Sequence, residues 1–135
     1  MPQEHIASVF DRDLEAIQAH ILKMGGMVET AILDSARALE TRDEEAALAV
    51  RRGDRAIDEM ELLINEEAAR LLALRAPVSK DLRVVLAVMK ISANLERIGD
   101  YAKNIAKRTS VLVQMYPLEG APSDLRRMAQ AVEMM

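Results

Sequence analysis

The stretch "RAPVSKD", residues 75–81, decides how this chain folds. Pro77 lacks an N–H and restricts the residue before it, so a helix arriving from upstream ends there. Ser79 carries a hydroxyl suited to the free N–H groups of a new helix and is the expected N-cap. Long segments with helical period flank this turn. Upstream, Ala46, Val50, Ile57, Ile64, Ala68 and Leu71 share one face; downstream, Val84, Val88, Ile91, Leu95, Ile98, Ala102, Ile105 and Thr109 share another. Two apolar stripes joined by a short polar turn predict an antiparallel helix hairpin with its apex near Pro77.

Upstream of the hairpin, "TRDEE" (41–45) reads as another turn and helix start. Asp43 is placed to cap free N–H groups, and Glu44 and Glu45 suit the positive end of the helix dipole. Before it, Ile6, Phe10, Leu14, Ile17, Ile21, Met24, Val28, Ile32, Ser35 and Leu39 recur every three or four residues. They predict a first helix from about His5 to Glu40. Gly25 and Gly26 lie inside it, marking either a bend, a close approach of another helix, or a tolerated weak spot. The third helix is expected to end near Met115, before "YPLEGAPSD". From Ser123 a fourth helix begins, with Leu125, Met128, Val132 and Met135 spaced like Leu14, Ile17, Ile21 and Met24. This hints at an internal repeat whose second copy stops early. The fold expectation is therefore all-α: a three-helix antiparallel bundle followed by the beginning of a fourth helix.

Composition agrees with helix-on-helix packing. Half of the 135 residues are hydrophobic, yet the aromatic ones are only Phe10, Tyr101 and Tyr116. Aliphatic side chains must fill the core, which suits a helical bundle better than a β-sandwich. The net charge of −4, with no basic stripe, argues against nucleic acid as a partner. Without cysteine there are no disulfides and no thiolate metal sites. No apolar run is long enough to predict a membrane span, and the first residues do not read as a signal peptide.

Chemistry is concentrated in acids. "NLERIGDYAKNI" (94–105) carries Glu96 and Asp100 four residues apart on one helix face, and "GDRAIDEM" (53–60) carries Asp54 and Asp58 in the same way. Like charges at this spacing weaken a helix by about 0.2–0.5 kcal/mol. In an antiparallel hairpin, residues equidistant from Pro77 lie level, which pairs Asp58 with Glu96 and Asp54 with Asp100. Their rotations about the two helix axes turn both pairs toward each other or both away, and the sequence leaves that choice open. Converging acids need compensation. Arg51, Arg55, Arg97 and Lys103 offer ordinary ion pairs. A hard cation is the other solution: carboxylates without cysteine or adjacent histidine suit Mg²⁺, Mn²⁺, Ca²⁺ or oxygen-ligated iron. A ferritin-like di-iron site requires Glu-x-x-His. Neither His5 nor His20 has a Glu three residues earlier, so both are expected to be surface or turn residues rather than ligands.

On these residues the chain resembles the PhoU family, bacterial regulators of phosphate uptake. The resemblance covers "HIASVFDRDLEAIQAHILKM", "GDRAIDEMELLINEEAARLLALRAPVSKDLRVVLAVMKI" and "NLERIGDYAKNIAKR", with "DLR" after the turn and "ERIGDYAKNI" the most specific pieces. It implies two three-helix repeats in tandem. Residues 1–117 correspond to one repeat, and 118–135 to a linker and the start of a second, truncated one. It also implies E/D-x-x-x-D motifs that bind metal at the protein surface. Here they fall on Asp54, Asp58, Glu96 and Asp100, with iron, Mn, Mg or Zn as the candidate ions.

The resemblance further implies a negative regulator of phosphate uptake and phosphate-responsive signalling; a cytoplasmic setting is expected, which the absence of cysteine fits. Such a protein docks between the ATPase subunit of the phosphate ABC transporter and a phosphate-sensing membrane histidine kinase. Separately, the uncovered apolar stripe of Leu125, Met128, Val132 and Met135 is expected to recruit a second copy of the chain, giving a homodimer. The regulatory role needs a docking surface rather than a catalytic pocket. The residues agree, with no Ser/His/Asp set and no Gly-rich phosphate loop, so no enzyme is expected. The alternative is a metal-dependent hydrolase in which the carboxylate cluster holds a water-activating ion.

Overall fold

The computed structural model describes the backbone of residues 2–115 and the side chains of 9–115. Three helices follow one another: α1 Pro2–Thr41, α2 Glu44–Arg75 and α3 Ser79–Met115. Each packs along both of the others, so the described residues form a three-helix bundle. The expected fourth helix, and the side chains of His5 and Ile6, lie outside the described residues.

The turns show why the helices stop where they do. Arg42, at φ 58°, adopts a left-handed conformation after α1, and the Asp43 N–H then reaches back to the Ala38 carbonyl at 3.0 Å. This satisfies one of the last carbonyls of α1. Asp43 in turn caps α2, as its residue type predicts: its carboxylate accepts from the Ala46 N–H at 3.0 Å. At the other end of α2, Ala76 takes the left-handed cap (φ 42°, ψ 57°) and its N–H donates to the Leu72 carbonyl. The start of α3 differs from expectation by one residue. The Val78 carbonyl accepts from Asp81 and Leu82, so Val78 opens the helix and Ser79 is already inside it. Ser79 sits at φ 35°, outside the extended conformation an N-cap side chain needs.

The main core is built from Phe10, Ile17, Met24 and Val28 of α1, Ile57, Ile64, Ala68 and Leu71 of α2, and Val85 and Val88 of α3. A second, smaller cluster joins Ala38, Ala47, Val50 and Ala106 toward the α1–α2 turn. Along α2, Asp54 falls between Val50 of one cluster and Ile57 of the other. The expected stripe of α2 is buried from Val50 to Leu71. That of α1 is buried at Phe10, Ile17, Met24 and Val28 and half-buried at Leu14 and Ile21, but Ile32 and Leu39 near its C-terminal end are 38% and 40% exposed.

The buried face of α3 is rotated from the expected one. Val85, Ser92, Gly99 and Ala106 point inward, whereas Ile91 and Ile98 are 45% and 38% exposed. The reason is close packing. Small residues let the α3 backbone approach its neighbours, and bulkier isoleucines at those positions would hold the helices apart. Gly25 and Gly26 do not mark a helix contact: a Cβ at either position meets nothing within 4 Å. Gly26 and Gly53 border an open groove of about 620 Å³ between α1 and α2.

Candidate metal centre

The two acidic pairs turn toward each other between α2 and α3. Asp54, Asp58 and Asp100 each present a carboxylate oxygen, and the three oxygens lie within 4.8 Å of one another. Level placement about Pro77 and a four-residue repeat on each helix bring them together. Close approach of the two helices completes the arrangement. Gly99, one residue before Asp100, packs against Ile57, one residue before Asp58.

The three acids differ in environment. Asp54 occupies the buried stripe of α2 and is 3% exposed. Its Oδ2 pairs with Lys103 Nζ at 3.3 Å. Its Oδ1 is buried without a hydrogen-bond partner. A buried carboxylate oxygen left unsatisfied costs about 1–3 kcal/mol or more, so it is retained where something else compensates it. Asp58 is exposed and Asp100 half-buried. Loss of solvent around its carboxyl raises the Asp58 pKa above the usual range, and the charges of Asp54 and Asp100 raise it further; Lys103 opposes them.

Glu96 is adjacent to this trio but is not one of the three mutually close ligands. It is half-buried, and its pKa rises from 4.5 to about 7. Desolvation is the first cause; a side-chain hydrogen bond with Asp100 is second, and the negative charges of Asp100, Glu61 and Asp58 follow. A carboxyl in that state shares a proton with its neighbour near neutral pH, and a cation displacing the proton gains an oxygen donor.

Sequence reasoning missed Glu61. It is half-buried, and its pKa is raised by desolvation first and then by Asp58 and Asp100. The signal was present: Asp54, Asp58 and Glu61 fall at i, i+4 and i+7 along one helical stripe. Of the four cations named beside the acids, Lys103 alone lies within 4.0 Å of a carboxylate of the cluster among the described residues. His20 takes no part: its Nδ1 is 3.0 Å from Glu67 Oε2, linking α1 to α2.

The donor set fits a hard cation. It is all oxygen, anionic and convergent, with one buried oxygen that no protein group satisfies. Asp54, Asp58 and Asp100 would hold the ion, with Glu96 beside them.

A family model described as "PhoU domain" matches residues 21–109. A relative in Zymomonas mobilis subsp. mobilis, named phosphate-specific transport system accessory protein PhoU homolog, is 42% identical over 118 residues, covering 87% of this chain and 50% of the relative. A homolog of the same name in Caulobacter vibrioides is 38% identical over 130 residues, covering 96% of this chain and 56% of its own length. The crystal structure of PhoU from Pseudomonas aeruginosa superposes with a TM-score of 0.76 at 40% identity, covering 78% of this chain and 51% of that one. The chain thus spans about half the length of the curated relatives it matches.

Proposed function

This chain belongs to the PhoU family, and from that premise we propose that it regulates phosphate uptake as a docking protein with a structural or regulatory metal site. Its action restrains uptake and phosphate-responsive signalling when phosphate is plentiful. Its partners are the ATPase subunit of a phosphate ABC transporter and a phosphate-sensing membrane histidine kinase, and a second copy of the chain completes a homodimer. The setting is cytoplasmic. Among the described residues no helix is long and apolar enough to cross a membrane. Residues 1–117 act as one repeat, with 118–135 a linker and the start of another. The relatives' names, which place them with a phosphate-specific transport system, support the phosphate reading.

Asp54, Asp58, Glu96 and Asp100 bind the ion in this reading. The single observation that carries the metal site is the buried, unpartnered Asp54 Oδ1 within a convergent set of carboxylates. The ion supplies the positive charge that lets the acids stay ionised together; the helices supply their spacing.

Elemental analysis of the purified protein and of D54N tests the site, and equal metal content in the two would sink it. Phosphate uptake in cells lacking the chain tests the role: uptake in rich phosphate should rise and return to normal on re-expression. Phosphatase turnover that requires Mn²⁺ and Asp100 would replace docking with the hydrolase reading.

A further inference from the structure

Lys103 is the one basic group in contact with the acidic cluster among the described residues. Its Nζ lies 3.3 Å from Asp54 Oδ2, and Asp54's side chain is 4% exposed. Lys103 follows Asp100 by three residues, so both side chains project from one face of α3 toward α2. Its charge also reaches Asp58, where it opposes the neighbouring acids. The ammonium therefore contacts one carboxylate and influences another of those that a cation would use.

We propose that Lys103 is a built-in competitor that makes the Asp54–Asp58–Asp100 site selective for multivalent over monovalent cations. The inference rests on the metal reading of that site. An ammonium bonded to Asp54 Oδ2 and an ion on the same carboxylate repel each other at short range, so the ion must displace the ammonium from the groove. A Na⁺ or K⁺ ion that replaces it exchanges one positive charge for one, with no net gain against four or five acids. A divalent or trivalent ion adds at least one charge and binds the oxygens at shorter range, about 2.0–2.6 Å.

The displaced side chain has somewhere to go. Lys103 is 35% exposed and carries a flexible four-carbon stem, so its ammonium can leave the groove and be hydrated. A guanidinium would be a poorer competitor for this purpose, because its rigid fork holds a carboxylate with two bonds. The residue thus fits a device that occupies the site against weak ions and yields to strong ones.

The test uses the full chain, its K103M and K103Q variants, and D54N, with Mn²⁺ as probe. Calorimetric titrations are run at equal ionic strength in NaCl and in tetramethylammonium chloride, whose cation is too bulky for a carboxylate groove. In the parent, Mn²⁺ affinity should be the same in both salts. K103M and K103Q should bind Mn²⁺ about tenfold tighter or more in tetramethylammonium chloride, as removal of a close positive charge requires. They should lose part of that gain in NaCl, because Na⁺ now competes. Circular dichroism checks the fold of each variant, and K103Q keeps a polar group of similar reach should K103M be misfolded. Parent binding that D54N abolishes, combined with unchanged or weaker binding in both Lys103 variants, overturns this proposal and leaves the metal site standing. Tighter binding with no difference between the two salts overturns the selectivity claim. Absence of saturable binding in the parent and in the Lys103 variants overturns the metal reading and this inference with it.

Discussion

A Cβ placed on Gly99 would stand 3.4 Å from both Cδ1 and Cγ2 of Ile57, and 3.8 Å from Asp54 Oδ1. These contacts set how close α3 comes to α2, and with it the separation of Asp100 from Asp54. A methyl group at this distance makes an ordinary contact, and alanine favours a helix over glycine by about 0.8–1 kcal/mol. Gly99→Ala should therefore melt at or above the parent temperature. Gly99→Leu has no such room; overpacking of this kind costs about 1–3 kcal/mol. It should lower both the melting temperature and Mn²⁺ affinity, read by calorimetry. Parent-like affinity in folded Gly99→Leu would show that helix spacing does not hold the acids together.

Asp100 repels Asp58 and Glu61 and shares a hydrogen bond with Glu96. Asp100→Asn removes a charge at nearly constant size. Without metal it should raise thermal stability, because like charges close together are relieved of repulsion. With Mn²⁺ present it should bind the ion more weakly, since hard cations favour charged oxygen donors. Opposite signs in the two conditions distinguish a ligand from a merely structural acid, and Glu96→Gln should behave in the same way.

Glu96 makes the stability of the metal-free protein depend on pH. Its carboxyl ordinarily titrates at 4.5 and is raised to about 7 in the fold. Between these values the folded chain holds a proton that the unfolded chain has lost. Stability contributed by the protonated form is therefore full below 4.5 and is lost as pH rises through about 7. Melting curves of the parent and Glu96→Gln should lie close together near the lower value and separate above the higher one, with the variant the more stable. A constant gap across this window would refute the assignment.

Ala76 holds a left-handed cap at φ 42° after α2. Glycine adopts this conformation without the Cβ clash that costs other residues about 1–2 kcal/mol. Ala76→Gly should stabilise the protein by about 1 kcal/mol in urea unfolding, with no change in metal binding. By contrast, Ile64 is fully buried in the main core, and Ile64→Ala should cost about 2–5 kcal/mol by leaving a cavity.

The stripe Leu125, Met128, Val132 and Met135 lies outside the described residues and bears on self-association. A segment of this length is marginal as an isolated helix in water. Covering its apolar side against a second copy would favour a dimer. Light scattering on the full chain and on one ending at Gly120 should give a larger mass for the full chain. Equal, monomeric masses would show that the segment recruits nothing.

The three helices, their order and the hairpin at Pro77 were legible in the sequence, because each depends on local chemistry. A capping carboxylate at Asp43, a proline at 77 and apolar residues every three or four positions act within a few turns of one helix. The level pairing of the acids followed from counting away from the turn, since helical rise is constant. The rotation of each helix about its axis was another matter. It placed Ser92 and Gly99 inside, left Ile91 and Ile98 partly outside, and turned the two acidic pairs toward each other. Periodicity tolerates a shift of one residue, whereas packing volume does not, and that volume is set by side chains from all three helices together. The same packing buried Asp54 and stranded its Oδ1, brought Glu61 beside the cluster and set Lys103 against Asp54. What local spacing determined was which acids stand level; which way they face, and how far from water, was decided only when three helices closed on one core.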